Sequence, residues 1–152
     1  MGKSTLILGG IKSGKSVFAE TLVKEKPGAT IYLATGQPSD GEMKHRIDAH
    51  QQRRPDSWET LEEPMDMVTN LRASLARNNG PVLLLLDSLD GWASNYLIEY
   101  EAEDYKNLEA LALSHLSSFL NLINDSNVDA FIVSSEVGSG LVSTYSLGRR
   151  FQ

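Results

Sequence analysis

Eight residues near the amino terminus, Gly9-Gly10-Ile11-Lys12-Ser13-Gly14-Lys15-Ser16, follow the spacing G-x-x-x-x-G-K-S. A phosphate is cradled by backbone N–H groups that converge on its oxygens, which glycines permit and bulky, restricted residues do not. Lys15 would reach the β- and γ-phosphates, and the Ser16 hydroxyl would help to hold Mg²⁺. Residues 5–8 before the motif read as a short buried strand, and residues 15–26 read as a helix. The positive end of that helix would point into the same anion site. This strand–loop–helix context identifies a P-loop.

The metal at a P-loop needs a second ligand beside the Ser16 hydroxyl, and a carboxylate suits it. Leu83-Leu84-Leu85-Leu86-Asp87 places one at the end of an aliphatic run. At the carboxyl end of a buried parallel strand, Asp87 would face the ligand edge of the sheet. Its plainer alternative is a helix N-cap or turn residue. Glu136, just past the apolar run at 131–134, would share that edge, with a solvated loop carboxylate as the alternative.

Arg46, His50 and Arg53 recur at i, i+4 and i+7 of a helical segment and so share one side. Neighbouring positive charge favours neutral imidazole. Neutral imidazole is a nucleophile, and the arginines could hold a triphosphate for attack. The residue types alone favour the plainer alternative, a solvated helix-surface histidine, which is also the reading for His45 and His115. From the residues alone the chain is an Mg²⁺-NTP-dependent enzyme or switch.

The elements that must position these groups follow from the pattern. Strands are expected at 30–34, 57–62, 82–87 and 130–134, and helices at 40–54, 65–77, 92–98 and 104–123. Ser39-Asp40-Gly41-Glu42 has capping-box spacing. Pro27-Gly28, Pro55 and Asn78-Asn79-Gly80-Pro81 are breakers. From Gly138 onward the chain reads as irregular. Alternating strands and helices predict an α/β fold with a mostly parallel sheet flanked by helices. The 152 residues fit one domain.

A formal net charge of −6 argues against a nucleic-acid-binding surface but not against a local phosphate cradle. The absence of cysteine excludes disulfides, thiolate zinc and a cysteine nucleophile. The longest apolar run, residues 82–86, is too short to span a bilayer. No signal-peptide pattern opens the chain, so a cytoplasmic location is expected.

Several segments together resemble the bifunctional adenosylcobinamide kinase / adenosylcobinamide-phosphate guanylyltransferase family of cobalamin biosynthesis. They are the P-loop, Ala34-Thr35-Gly36-Gln37, the run from Arg46-Ile47 through His50 to Arg54-Pro55, Trp58 to Pro64, Leu86-Asp87-Ser88-Leu89, Trp92-Ala93-Ser94-Asn95 and Ser135-Glu136-Val137-Gly138-Ser139-Gly140. The R-I-x-x-H-x-x-x-R-P segment is the most specific. The resemblance implies a P-loop NTPase fold similar to RecA-type domains. It implies that His50 is the guanylylated nucleophile, with Lys15 stabilising the phosphates. Nucleotide contacts would fall on Gly9, Gly10, Ile11, Lys12, Ser13, Gly14, Lys15 and Ser16, on Ala34, Thr35 and Gly36, on Gln51, Gln52, Arg53 and Arg54, and on Glu62 and Asp87. Mg²⁺ would lie on Ser16 and Asp87. The substrates implied are GTP (or ATP) and the corrinoid adenosylcobinamide, and the assembly a homo-oligomer, expected as a trimer. The chain departs from the family pattern at Ser135, where asparagine is usual, and at Ser143, where proline is usual. It stops at Gln152, before a family helix and final strand, so part of the sheet is expected to lie uncovered. The alternatives are another P-loop small-molecule kinase or NTPase using only the P-loop and Asp87, or a nucleotide-binding remnant without turnover.

Overall fold

A computed structural model describes residues 2–38 and 41–152. Five strands, β1 (Ser4–Gly9), β2 (Ala29–Ala34), β3 (Glu59–Glu62), β4 (Val82–Asp87) and β5 (Asp129–Ser135), form one sheet in the order β1-β5-β4-β2-β3. Every pairing is parallel. The helices are α1 (Lys15–Lys24), α2 (Gly41–Arg53), α3 (Thr69–Arg77), α4 (Leu89–Glu99), α5 (Tyr105–Asp125) and α6 (Ser146–Phe151). This is the expected α/β P-loop architecture.

The two-residue period of the strands divides the interior into two cores. Tyr32, Leu83, Leu85, Phe131 and Val133 face one side with Ala19 and Val23 of α1. Ile31, Leu33, Leu84, Leu86 and Ile132 face the other, under Leu71, Trp92 and Phe119 from α3, α4 and α5. Both faces of β4 are therefore covered, which explains its unbroken aliphatic sequence. Leu84 is fully buried. Leu84→Ala is expected to cost about 2–5 kcal/mol through lost transfer energy and a residual cavity, measured as a fall in the urea midpoint at unchanged m-value.

Register aligns the carboxyl ends of the strands. Gly9 pairs with Ser135, Asp87 with Val133, and Ala34 with both Asp87 and Glu62. Ligands of open parallel sheets bind at that edge.

The most informative differences from expectation lie at α3, α4 and α6. The third helix begins at Thr69, not at 65. Asp66 ends the helix there, because its Oδ1 accepts from the N–H groups of Val68 and Thr69 and its Oδ2 from the Thr69 hydroxyl. A six-residue helix, α6, lies within the segment expected to be irregular. The fourth helix starts at Leu89, capped by Ser88, whose Oγ accepts from the Gly91 N–H at 3.1 Å. Asp87 is therefore not the N-cap. The capping-box residues Ser39 and Asp40 lie outside the described residues.

Candidate active site

The loop between β1 and α1 shows why two of its glycines, Gly9 and Gly14, are favoured. A Cβ on Gly9 would lie 2.8 Å from Ser13 Oγ and 3.1 Å from Lys15 Cγ, displacing the lysine stem. Gly14 has φ 85°, a left-handed value that L side chains avoid, and hands the chain directly into α1. The Lys15 ammonium folds back to donate to the Gly10 carbonyl at 2.6 Å, bridging the loop that it would share with a phosphate.

This loop opens onto a cleft of about 360 Å³ at the carboxyl edge of the sheet. Among the expected residues, Ile11, Lys15, Ser16, Ala34, Thr35 and Gly36 line it. So do His50, Gln51, Arg54, Glu62 and Asp87. Residues from β2, α2, β3 and β4 thus converge with the P-loop. Gln52 is exposed and does not line the cleft. Lys12 turns outward to Glu42 of α2, 3.4 Å away in an exposed pair. Glu136 closes its own loop, its Oε1 accepting from the N–H groups of Gly138 and Ser139. His45 is exposed, while His115 packs against Trp92 and accepts from the Met67 N–H at 3.1 Å.

Two side chains matter that the sequence reading did not single out. Tyr32 donates its hydroxyl to Asp87 Oδ2 at 2.5 Å. Burial, the Asp87 charge and this hydrogen bond together raise the Tyr32 pKa, so the hydroxyl remains a donor. The Arg54 guanidinium stacks 3.5 Å over the Tyr32 ring. Its Nε and one terminal nitrogen are buried without hydrogen-bond partners among the described residues. Unpaired guanidinium donors beside a cleft suit an anionic ligand.

The second side chain is Glu20 of α1, only 2% exposed. Its Oε2 lies 3.6 Å from Arg53 Nε, and its Oε1 lies 3.9 Å from His50 Nδ1. Spacing contained this signal. Ser16, Ala19, Glu20 and Val23 form an i, i+3, i+4, i+7 stripe, so a carboxylate stands on the inward face of α1.

His50 is thus surrounded by both signs of charge, not by arginines alone. Its pKa lies below the ordinary 6.5, chiefly because burial disfavours the cation. Asp87 opposes that shift, Arg53 adds to it, Glu20 opposes it and Arg54 adds to it. The imidazole is therefore neutral over a wider pH range, as a nucleophile requires. The shift also links the site to stability. Just below 6.5 the unfolded chain takes up a proton at His50 and the folded chain does not, so stability falls as pH falls. His50→Asn removes that contribution. The urea midpoint of the unaltered chain should fall more between about pH 7.5 and about pH 5.5 than that of the variant.

Thr35 and Asn95 stiffen the rim. The Thr35 hydroxyl donates to the Ser88 carbonyl at 2.7 Å and accepts from the Ser88 N–H at 2.9 Å. The Asn95 amide donates to the carbonyls of Thr35 and Pro64. Among the described residues no helix is long and apolar enough to cross a membrane.

Comparison with known proteins agrees with this architecture. The family model described as cobinamide kinase / cobinamide phosphate guanyltransferase matches residues 5–152. The bifunctional adenosylcobalamin biosynthesis protein CobP of Pseudomonas aeruginosa is 38% identical over 146 residues, covering 96% of this chain and 79% of that protein. The bifunctional adenosylcobalamin biosynthesis proteins CobU of Escherichia coli and Salmonella typhimurium are 30% and 31% identical over 153 residues, each match covering 97% of this chain and 82% of the relative. With a P-loop at one strand end, a histidine carried to it by α2 and a family match along almost its whole length, the chain belongs to the cobinamide kinase / cobinamide phosphate guanyltransferase family.

Proposed function

We propose that this chain is a transferase of cobalamin biosynthesis that performs two reactions in one cleft. It phosphorylates adenosylcobinamide, and it transfers GMP from GTP to adenosylcobinamide phosphate through a guanylylated His50. The carrying observation is that His50 from α2 and Lys15 from the P-loop, 35 residues apart in sequence, line the same cleft.

In the guanylyl step, a neutral His50 nitrogen attacks the α-phosphate of GTP. An N–P bond forms, and the bond to the bridging oxygen of pyrophosphate breaks. A phosphate oxygen of adenosylcobinamide phosphate then attacks the same phosphorus, and the N–P electron pair returns to the imidazole. Lys15 and the loop N–H groups stabilise charge that develops on the phosphates. In the kinase step the same loop holds a GTP or ATP whose γ-phosphoryl group passes to the corrinoid hydroxyl. Arg54 offers unpaired donors for a phosphate, and Gln51 and Glu62, hydrogen-bonded to each other at 2.8 Å, offer polar edges for a base.

Ser16 and Asp87 supply oxygen donors at one sheet edge, the ligand chemistry that Mg²⁺ prefers when it is shared with phosphates. Bound there it would neutralise phosphate charge. One continuous sheet supports a single nucleotide-binding domain over 1–152. A cytoplasmic homo-oligomer, trimeric by family resemblance, completes the reading.

The test is incubation with Mg²⁺ and GTP radiolabelled at the α-phosphate. An acid-labile, base-stable adduct should form on the protein. Hydrolysis or γ-transfer without any adduct would instead indicate a P-loop kinase or NTPase that uses only Lys15 and Asp87. Nucleotide binding by calorimetry with no turnover of any corrinoid would indicate a remnant.

A further inference from the structure

The two nitrogens of His50 are not equivalent. Nδ1 faces Glu20 Oε1 at 3.9 Å and Asp87 Oδ2 at 3.7 Å. Nδ1 is enclosed by these two carboxylates and by Arg53, whose terminal nitrogen lies 3.2 Å away, and this crowding leaves Nδ1 no clear approach for an α-phosphate. Attack must therefore use Nε2, and Nε2 has a free lone pair only if the proton of the neutral ring sits on Nδ1. Something must hold that proton.

Asp87, although slightly nearer to Nδ1, is already engaged. Its Oδ2 already accepts from the Tyr32 hydroxyl at 2.5 Å. Arg53 opposes the required tautomer. Its terminal nitrogen lies 3.2 Å from Nδ1, and by donating there it would force the proton onto Nε2. Glu20 fits. Its Oε1 is buried and accepts no hydrogen bond from any described residue. An unused carboxylate oxygen at 2% residue exposure is costly unless it acquires a donor. The nearby Arg53 Nε, 3.6 Å from Oε2, gives the arginine a partner other than the imidazole.

We propose that Glu20 is the positioning residue for His50: its free Oε1 accepts the Nδ1 proton and makes Nε2 the attacking nitrogen. The role in catalysis rests on the function proposed above. The tautomer has a second support that is independent of that function, the buried Glu20 Oε1 that lacks a donor. Shortening the contact to a hydrogen bond of about 2.9 Å needs a displacement of about 1 Å, an adjustment that such contacts make once ligand binds. The helix carrying His50 has no buried residue to resist it.

The proton balance favours the arrangement. Nε2 forms the bond to phosphorus while Nδ1 keeps its proton, so the guanylylated ring is a cation paired with the Glu20 carboxylate. When the acceptor oxygen displaces it, the electron pair returns to Nε2 and neutral imidazole leaves. No proton has to enter or depart from the ring in either step, and no imidazolate forms.

The experiment uses protein labelled with ¹⁵N-histidine, with the His50 signals assigned by their loss in His50→Asn. Long-range ¹H–¹⁵N spectra are recorded at mildly alkaline pH with Mg²⁺ and α,β-methylene-GTP. The expected result is a pyrrole-type Nδ1 and a pyridine-type Nε2. The reverse assignment overturns the proposal. E20L, which removes the acceptor while filling its space, should move the ring toward the Nε2–H tautomer. It should also slow adduct formation from GTP by roughly 10²–10⁴-fold, with KM changing far less than kcat. E20Q, which keeps an acceptor oxygen, should recover part of the rate. Adduct formation by E20L at the unaltered rate overturns the proposal. If E20L fails to fold, E20A takes its place, with the same shift of tautomer and loss of rate expected and an unaltered tautomer overturning the proposal. A pyrrole-type Nδ1 without any adduct in unaltered protein would defeat the proposed function and leave the Glu20 assignment standing.

Discussion

His50→Asn is expected to abolish the GMP adduct and to lower transfer to adenosylcobinamide phosphate by roughly 10³-fold or more, the scale of loss when a covalent nucleophile is removed. Asparagine keeps a polar group of similar reach beside Arg53 and Glu20, but it has no lone pair able to form the phosphoramidate. Phosphorylation of adenosylcobinamide should fall by less than about tenfold, or about 1.4 kcal/mol in barrier, because γ-phosphoryl transfer has no covalent step at this residue. The measurement is adduct quantitation with α-labelled GTP beside a separate assay of acceptor phosphorylation. Equal loss of both reactions would mean that His50 mainly shapes the cleft. Unchanged guanylyl transfer would remove it from the mechanism.

Lys15→Ala should behave differently, with both reactions losing about 10²–10³-fold in kcat. The lysine stem lies along Gly9 and its ammonium reaches the Gly10 carbonyl, so the charge sits at the loop whichever phosphate is attacked. Single-turnover rates for adduct formation and for γ-transfer would test this. A loss confined to one reaction would place the two nucleotides in different parts of the cleft. Because α1 begins at Lys15, circular dichroism and a urea midpoint should accompany the rates.

The sequence conveyed most about elements whose local signals agree with their packing. β4 was legible because a strand covered on both faces has no polar positions to confuse its pattern. The P-loop was legible because backbone geometry dictates its glycines. The start of α3 was misplaced because apolar spacing from Met65 suits a helix, while the decisive force is Asp66 capturing two backbone N–H groups. The short α6 was missed because Gly148 and six residues offer too little periodicity.

At the site, sequence reasoning worked within one helix and failed between helices. Arg46, His50 and Arg53 share a side by spacing, so the arginine environment of the histidine was accessible. The opposing carboxylates come from α1 and β4, and no local pattern joins residues 20, 50 and 87. Glu20 could have been noticed as a charge on an apolar stripe, but its partner could not. Tyr32 carries no local mark within its strand, and only the fold brings its hydroxyl to Asp87.

The helix that presents the nucleophile is only lightly anchored to the rest of the architecture. None of the residues of α2 is buried. It is held near its carboxyl end by Gln51 on Glu62, Arg53 on Glu20 and, just beyond, Arg54 on Tyr32. The sheet and both cores would therefore survive the opening of α2, whose order is governed by a smaller, separate free energy. A ligand that bridges the P-loop and α2 raises that energy by mass action. Substrate would thus assemble the reactive half of the cleft on a scaffold that is folded without it.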